Sequence, residues 1–123
     1  MDIHNCVLVV VDVQGKLAQL MFDSERLFGN IERTIRFCQI LNIPILWTEQ
    51  APDKIGVTID PIASLLVPLI KPIHKRSFSC YGCDKFKHQL NALNRQQILL
   101  VGIEAHVCLY QTAADLNRHG YQV

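Results

Sequence analysis

VLVVVDVQ, residues 7–14, is the stretch that decides the fold. A run of β-branched residues without polar alternation suits a strand buried on both faces, as at the centre of a parallel sheet. The run from Val7 to Val13 ends in Asp12-Val13-Gln14, where polarity begins. A carboxylate at the end of so apolar a strand is costly unless it is paired or faces solvent at the strand end. Asp12 therefore marks a carboxyl edge worth watching.

Working outward, apolar runs alternate with amphipathic stretches, the βαβ signature of a parallel sheet covered by helices. From Ser24 to about Leu41, the residues Leu27, Ile31, Ile35, Cys38 and Leu41 recur at steps of three and four, which predicts one helix face. Ile43 to Thr48 reads as a second strand leading to Glu49 and Gln50. Pro52, Gly56, Pro61 and Pro68 punctuate residues 51–68, which read as a long loop with one helical turn around Ile62 to Leu66. A third strand is expected near Leu69 to His74, although Pro72 removes a ladder donor. Asp84 to Leu93 reads as a helix, Gln97 to Ile103 as a buried strand, and Val107 to His119 as a helix with Gly120 just past its end. The expected fold is a three-layer α/β/α domain spanning residues 1–123, Rossmann-like, with a mainly parallel sheet.

Bulk properties exclude several classes of function. Half of the 123 residues are hydrophobic and 19% are charged, which fits a globular chain and not a disordered one. The formal charge is +1, and no basic cluster exceeds His74-Lys75-Arg76, so no nucleic-acid partner is expected. The apolar run Val7 to Val11 is far too short to cross a bilayer, which takes about 20 helical residues. The start, MDIHN, has no signal-like pattern, so a cytoplasmic location is expected. Five cysteines in a reducing compartment read as free, buried, catalytic or metal-bound thiols, not disulfides.

In open α/β sheets, sites form beyond the carboxyl ends of the strands. Asp12 follows the first strand, Lys75 the third and Cys108 the fourth, so all three converge on one sheet edge. Cys108 at the start of a helix would gain from the positive end of the helix dipole, which favours thiolate and can stabilise an oxyanion. Asp12 could accept the thiol proton and pass it to a leaving amine. Lys75 could orient Asp12 and keep it ionised. Each residue also has a plainer reading: Cys108 as a small core residue, Asp12 as a loop cap, Lys75 as a solvated lysine.

Three stretches resemble the isochorismatase-like hydrolases, which include nicotinamidases, N-carbamoyl amide hydrolases and isochorismatase itself. They are VVVDVQGKL at 9–17, KRSFS at 75–79, and GIEAHVCLYQTAADLNRHGYQV from Gly102 to Val123. The family pattern places an Asp after the first strand, a Lys three residues before a Phe-Ser pair, and a Cys six residues after a strand-ending Gly. The resemblance implies a triad of Asp12, Lys75 and Cys108, with Cys108 as nucleophile toward a small amide, ureide or related C–N substrate. It also implies a cis peptide between Ile103 and Glu104, with the Glu104 and Cys108 N–H groups as an oxyanion hole. Gln14, Trp47, Phe78 and His106 are the candidate pocket residues. WTEQAPDKIGVT, residues 47–58, lacks the Asp-x-His pattern of the metal-binding nicotinamidase branch, so the resemblance implies no metal or cofactor and makes nicotinamide a poorer substrate. Glu104 and His106 stand at the implied pocket entrance, where many members carry small or hydroxyl residues.

Two other readings compete. Cys80-Tyr81-Gly82-Cys83 is a C-x-x-C pair that could serve redox chemistry, or half of a zinc site completed by His74 or His88. A member of the family could also serve as a non-catalytic assembly protein. Finally, Tyr121-Gln122-Val123 looks like the first residues of another strand. Family members continue through that strand, so the resemblance implies a domain truncated at its C-terminus. Its exposed sheet edge would then favour a homodimer or larger homo-oligomer.

Overall fold

A computed structural model describes residues 1–123 as an α/β domain around a four-stranded, wholly parallel sheet. The strands are β1 (Cys6–Val11), β2 (Ile45–Gln50), β3 (Ile73–Lys75) and β4 (Gln97–Gly102), in the order β3-β2-β1-β4. The helices are α1 (Gly15–Gln19), α2 (Ser24–Ile40), α3 (Pro52–Ile55), α4 (Asp60–Leu66), α5 (Asp84–Leu93) and α6 (Tyr110–Arg118). A 3₁₀ turn, Cys80–Gly82, precedes α5, and a π-helical turn, Ala105–Leu109, precedes α6. No helix is long and apolar enough to cross a membrane.

All six residues of β1 are buried, because alternate side chains feed two different cores. Cys6, Leu8 and Val10 meet Ile31, Ile35 and Cys38 of α2 and Ile62 and Leu66 of α4. Val7, Val9 and Val11 meet Phe86 and Leu90 of α5 and Leu116 of α6 on the other face. Each such fully buried side chain contributes about 1.5–3 kcal/mol, so the absence of polar alternation in β1 is the direct trace of a three-layer fold.

Helix α2 stops for a local reason. Asn42 takes φ +53, Ile43 N–H donates to Cys38 O at 2.8 Å, and Asn42 N–H donates to Gln39 O at 3.2 Å. That pair of bonds is a Schellman motif with Asn in the place usually held by glycine. At the end of α6, Gly120 at φ +87 fills the position expected for it.

Three expectations need correction. The loop over residues 51–68 contains two short helices, α3 and α4, each with a proline in its first turn, where the missing N–H costs nothing. The third strand is shorter and later than Leu69 to His74. The Leu69 and Ile70 N–H groups still donate to Leu66 O, so the chain pairs with β2 only after Pro72, from Ile73 to Lys75. Helix α1 was not expected at all: five residues with one buried side chain, Ala18, carry too weak a periodicity. At the chain's last residues, Gln122 makes one parallel bridge to Gln97 on the free side of β4.

Candidate active site

The carboxyl edge of the sheet gathers the polar residues that the apolar strands end on. Asp12 leaves β1 at φ +52, a left-handed conformation that Asp tolerates better than most residues, and is 4% exposed. Lys75, the last residue of β3, is 3% exposed, and its Nζ lies 2.6 Å from Asp12 Oδ2. The lysine ammonium has three protons. Acceptors for all three are at hand in Gln50 Oε1 (2.8 Å), Phe78 O (2.9 Å) and Ser77 O (3.1 Å). Thr48 Oγ1 donates to Asp12 Oδ1 at 2.8 Å. Asp12 Oδ2 meets the Lys75 ammonium at 2.6 Å and no other donor. It faces the ammonium as an ion pair and keeps an acceptor site free.

Cys108 sits within the π-helical turn and is buried. Such turns are rare and are found often at functional sites. Burial pushes the Cys108 thiol up to about 12; the Lys75 ammonium pulls it down, and the neighbouring Asp12 carboxylate adds to the rise. Cys108 precedes α6 inside a desolvated turn, where the loss of water outweighs the end of the helix dipole. The peptide bond from Ile103 to Glu104 is cis, and the Glu104 N–H donates to no protein acceptor.

A cavity of about 80 Å³ lies between these groups, walled by Asp12, Cys108, Gln14, Gln50, Phe78 and Glu104. Leu17, Ile55, Ile103 and Val107 complete it with apolar surface. A larger groove of about 700 Å³ opens beside Pro44 and Leu69, at the amino end of β2, and holds none of the site residues. The convergent chemistry lies in the smaller one.

The isochorismatase domain, as a family, matches residues 6–123 of this sequence. The chain belongs to the isochorismatase family. A secreted isochorismatase effector of Phytophthora sojae is 33% identical over 98% of the chain and 59% of its own length. Isochorismatase domain-containing protein 2 of Danio rerio is 35% identical over 95% of the chain and 58% of its own length. Among solved structures, the MAR1 ribonuclease of Caenorhabditis elegans superposes with a TM-score of 0.89 at 32% identity, covering 98% of this chain and 62% of that one. The YcaC gene product of Escherichia coli, described as an octameric hydrolase of unknown specificity, gives 0.89 at 19% identity, covering 98% and 61%, and shares the fold. This isochorismatase-family chain thus spans about three-fifths of the length of the curated relatives it matches.

Within this family member, the remaining candidates separate. Gln14 and Phe78 line the cavity; Trp47 and His106 do not. Trp47 is 3% exposed in the core under α2 and α4, its indole donating to Thr58 Oγ1 at 2.8 Å, and His106 is exposed. Gln14 also braces the site: it accepts from Gln50 N–H at 2.7 Å and donates to Gln50 O at 3.1 Å and to Gly56 O. Thr48 and Gln50, which contact Asp12 and Lys75, were not among the residues expected at the site. Their signal was available, since Thr48-Glu49-Gln50 is a polar run at the carboxyl end of an apolar strand, as Asp12 is. Cys80 is buried with its sulfur 3.8 Å from Thr48 Oγ1, whereas the Cys83 thiol turns toward His74 O at 3.9 Å. The two sulfurs of the C-x-x-C pair serve different neighbours.

Proposed function

We propose that this chain is a cysteine hydrolase that cleaves a small amide, ureide or related C–N bond through a thioester. The observation that carries this reading is the buried Asp12–Lys75 pair at 2.6 Å, with Asp12 and Cys108 on the wall of one cavity.

A thiol pushed up to about 12 needs a base at the moment of attack, not before it. Asp12 takes the proton as sulfur bonds to the carbonyl carbon, and Lys75 holds the carboxylate in place. The Glu104 and Cys108 N–H groups are the candidate donors to the resulting oxyanion. When the C–N bond breaks, the amine leaves with the proton that Asp12 held. Water then gives a proton to Asp12 and its oxygen to the thioester carbon; the acid departs, and the sulfur regains its proton. Neither a metal nor a cofactor enters these steps.

The nematode relative's description as a ribonuclease would call for a phosphodiester. A lining without Lys, Arg or His gives such a substrate little support. An assembly of identical subunits accords with the octamer described for the Escherichia coli protein, and free thiols suit a reducing compartment.

The test is to trap the acyl group. Incubation with an activated small ester, followed by intact mass and peptide mapping, should place one acyl group on Cys108. Asp12→Asn should slow this by about 100-fold or more. Acylation of other cysteines with Cys108 untouched would refute the reading.

A further inference from the structure

The surface of the small cavity is almost wholly apolar, although Asp12, Gln14 and Gln50 stand in its wall. Their polar atoms are engaged elsewhere. Asp12 gives one oxygen to Lys75 and the other to Thr48. Gln14 accepts from the Gln50 N–H and donates to the carbonyls of Gln50 and Gly56. The Gln50 side chain accepts from Lys75 and donates to Arg76 O at 2.8 Å. Each side-chain oxygen and nitrogen of these three residues thus has a partner within the protein. Toward the cavity there remains mainly the hydrocarbon of Leu17, Ile55, Ile103, Val107 and Phe78. The space is also small. A cavity of about 150 Å³ is large enough for benzene. One of about 80 Å³ therefore holds roughly three or four non-hydrogen atoms.

We propose that this cavity receives the acyl half of the substrate, and that its size and carbon lining select unsubstituted aliphatic acyl groups, acetyl and propionyl. This selection rests on the Cys108 reading above and narrows its substrates to simple amides of short-chain carboxylic acids. A carbonyl group held at Cys108 leaves room for about one or two further carbons. A longer chain has to displace packed side chains, which is costly in a close-packed wall. A hydroxyl on the acyl side, or the N–H₂ of a ureide, would give up its water and meet hydrocarbon instead. Phe78 is 54% exposed while lining the cavity, so the wall meets solvent at its ring and leaves that side to the departing amine.

A series of phenyl esters tests both the size and the polarity of the pocket: acetate, propionate, butyrate, hexanoate and glycolate. In each, sulfur bonds to the carbonyl carbon, the C–O bond breaks, and phenol leaves with the thiol's proton. The leaving group is constant, so its own fit cancels between esters. The kcat/KM for phenol release, less that of Cys108→Ala, is divided by the rate of the same ester with free N-acetylcysteine. Acetate and propionate should lead, with hexanoate lower by about tenfold or more. Glycolate matches propionate in size and carries a hydroxyl, and should fall about tenfold below it. Leu17→Ala should raise butyrate relative to acetate by about fivefold or more, because it lengthens the pocket. Corrected rates that are level or rise from acetate to hexanoate overturn the proposal, as does glycolate equal to propionate. The parent chain decides these points whether or not Leu17→Ala folds; a folded Leu17→Ala with the parent's profile overturns it too. Failure of the underlying reading has a different signature. Phenol release would then survive Cys108→Ala, or be unchanged by Asp12→Asn, with every ester.

Discussion

Lys75 Nζ stands 2.6 Å from Asp12 Oδ2 and is also within hydrogen-bond reach of Gln50 Oε1, Ser77 O and Phe78 O. The lysine therefore supplies charge to Asp12, the base of the mechanism proposed above. Removing one partner of a buried pair strands the other, which costs about 3–5 kcal/mol. Lys75→Met should lose about that much in urea denaturation and abolish acylation of Cys108. Adding Asp12→Asn to Lys75→Met should recover much of the stability and none of the acylation. A double variant no more stable than Lys75→Met alone would show that the two charges do not depend on each other.

The Cys108 thiol, pushed up to about 12 from an ordinary 9.0, gives a pH prediction. Burial makes the folded chain hold this proton more tightly than the unfolded chain does. The stabilisation is complete below about pH 9 and is lost as pH rises through about 12. Alkylation of Cys108 by iodoacetamide should accordingly keep climbing from pH 9 to 10.5 in the folded protein, while the unfolded chain levels off. A plateau near pH 9 in the folded state would mean that the thiol is solvated.

Thr48→Val tests the inner oxygen of Asp12. The substitution keeps shape and removes the hydroxyl that donates to Oδ1 at 2.8 Å. Leaving a buried acceptor unmet costs about 1–3 kcal/mol, and with its base less well held Cys108 should be acylated by the ester more slowly, by about tenfold. Unchanged stability together with unchanged acylation would remove Thr48 from the site.

Glycines at two strand and helix ends give a contrast. At Gly102, φ is +136 and an added Cβ would lie 2.0 Å from Val11 O, in the backbone of the central strand. Gly102→Ala should cost about 3 kcal/mol or more, or prevent folding. At Gly120, φ is +87 but nothing lies within 4 Å, so Gly120→Ala should cost only about 1 kcal/mol. Similar thermal shifts for the two variants would contradict the close approach of β4 to β1.

The layered fold was legible because burial on both faces leaves a plain mark, the unbroken run Val7 to Val11. Asp12, Lys75 and Cys108 were legible as polar or reactive residues at strand ends, and the chain brings Asp12 and Lys75 into direct contact. Trp47 was misjudged because strand register alone does not say which way a side chain near the edge points. Thr48 faces Asp12, and Trp47 turns into the opposite core. The desolvation of Cys108 was not legible, because it depends on residues remote from each other in sequence, Ile103 and Phe78 among them. Helix α1 is held largely by long-range contact: Gly15 N–H donates to Val57 O across 42 residues of chain.

Asp12 to Lys75, Lys75 to Gln50, and Gln50 to Gln14 make a closed circuit, since Gln14 follows Asp12 by two residues. The circuit ties three neighbouring strands at one level: Val11 opposite Thr48, and Gln50 opposite Lys75. A slip of any strand by one residue would turn its side chains to the other face and open the circuit. The reactive arrangement is thus also a gauge of correct strand alignment. A misaligned sheet could bury nearly as much valine and leucine, but it would strand a lysine and a carboxylate in the interior. The residues proposed for chemistry are, on this account, also those that penalise the nearest wrong fold.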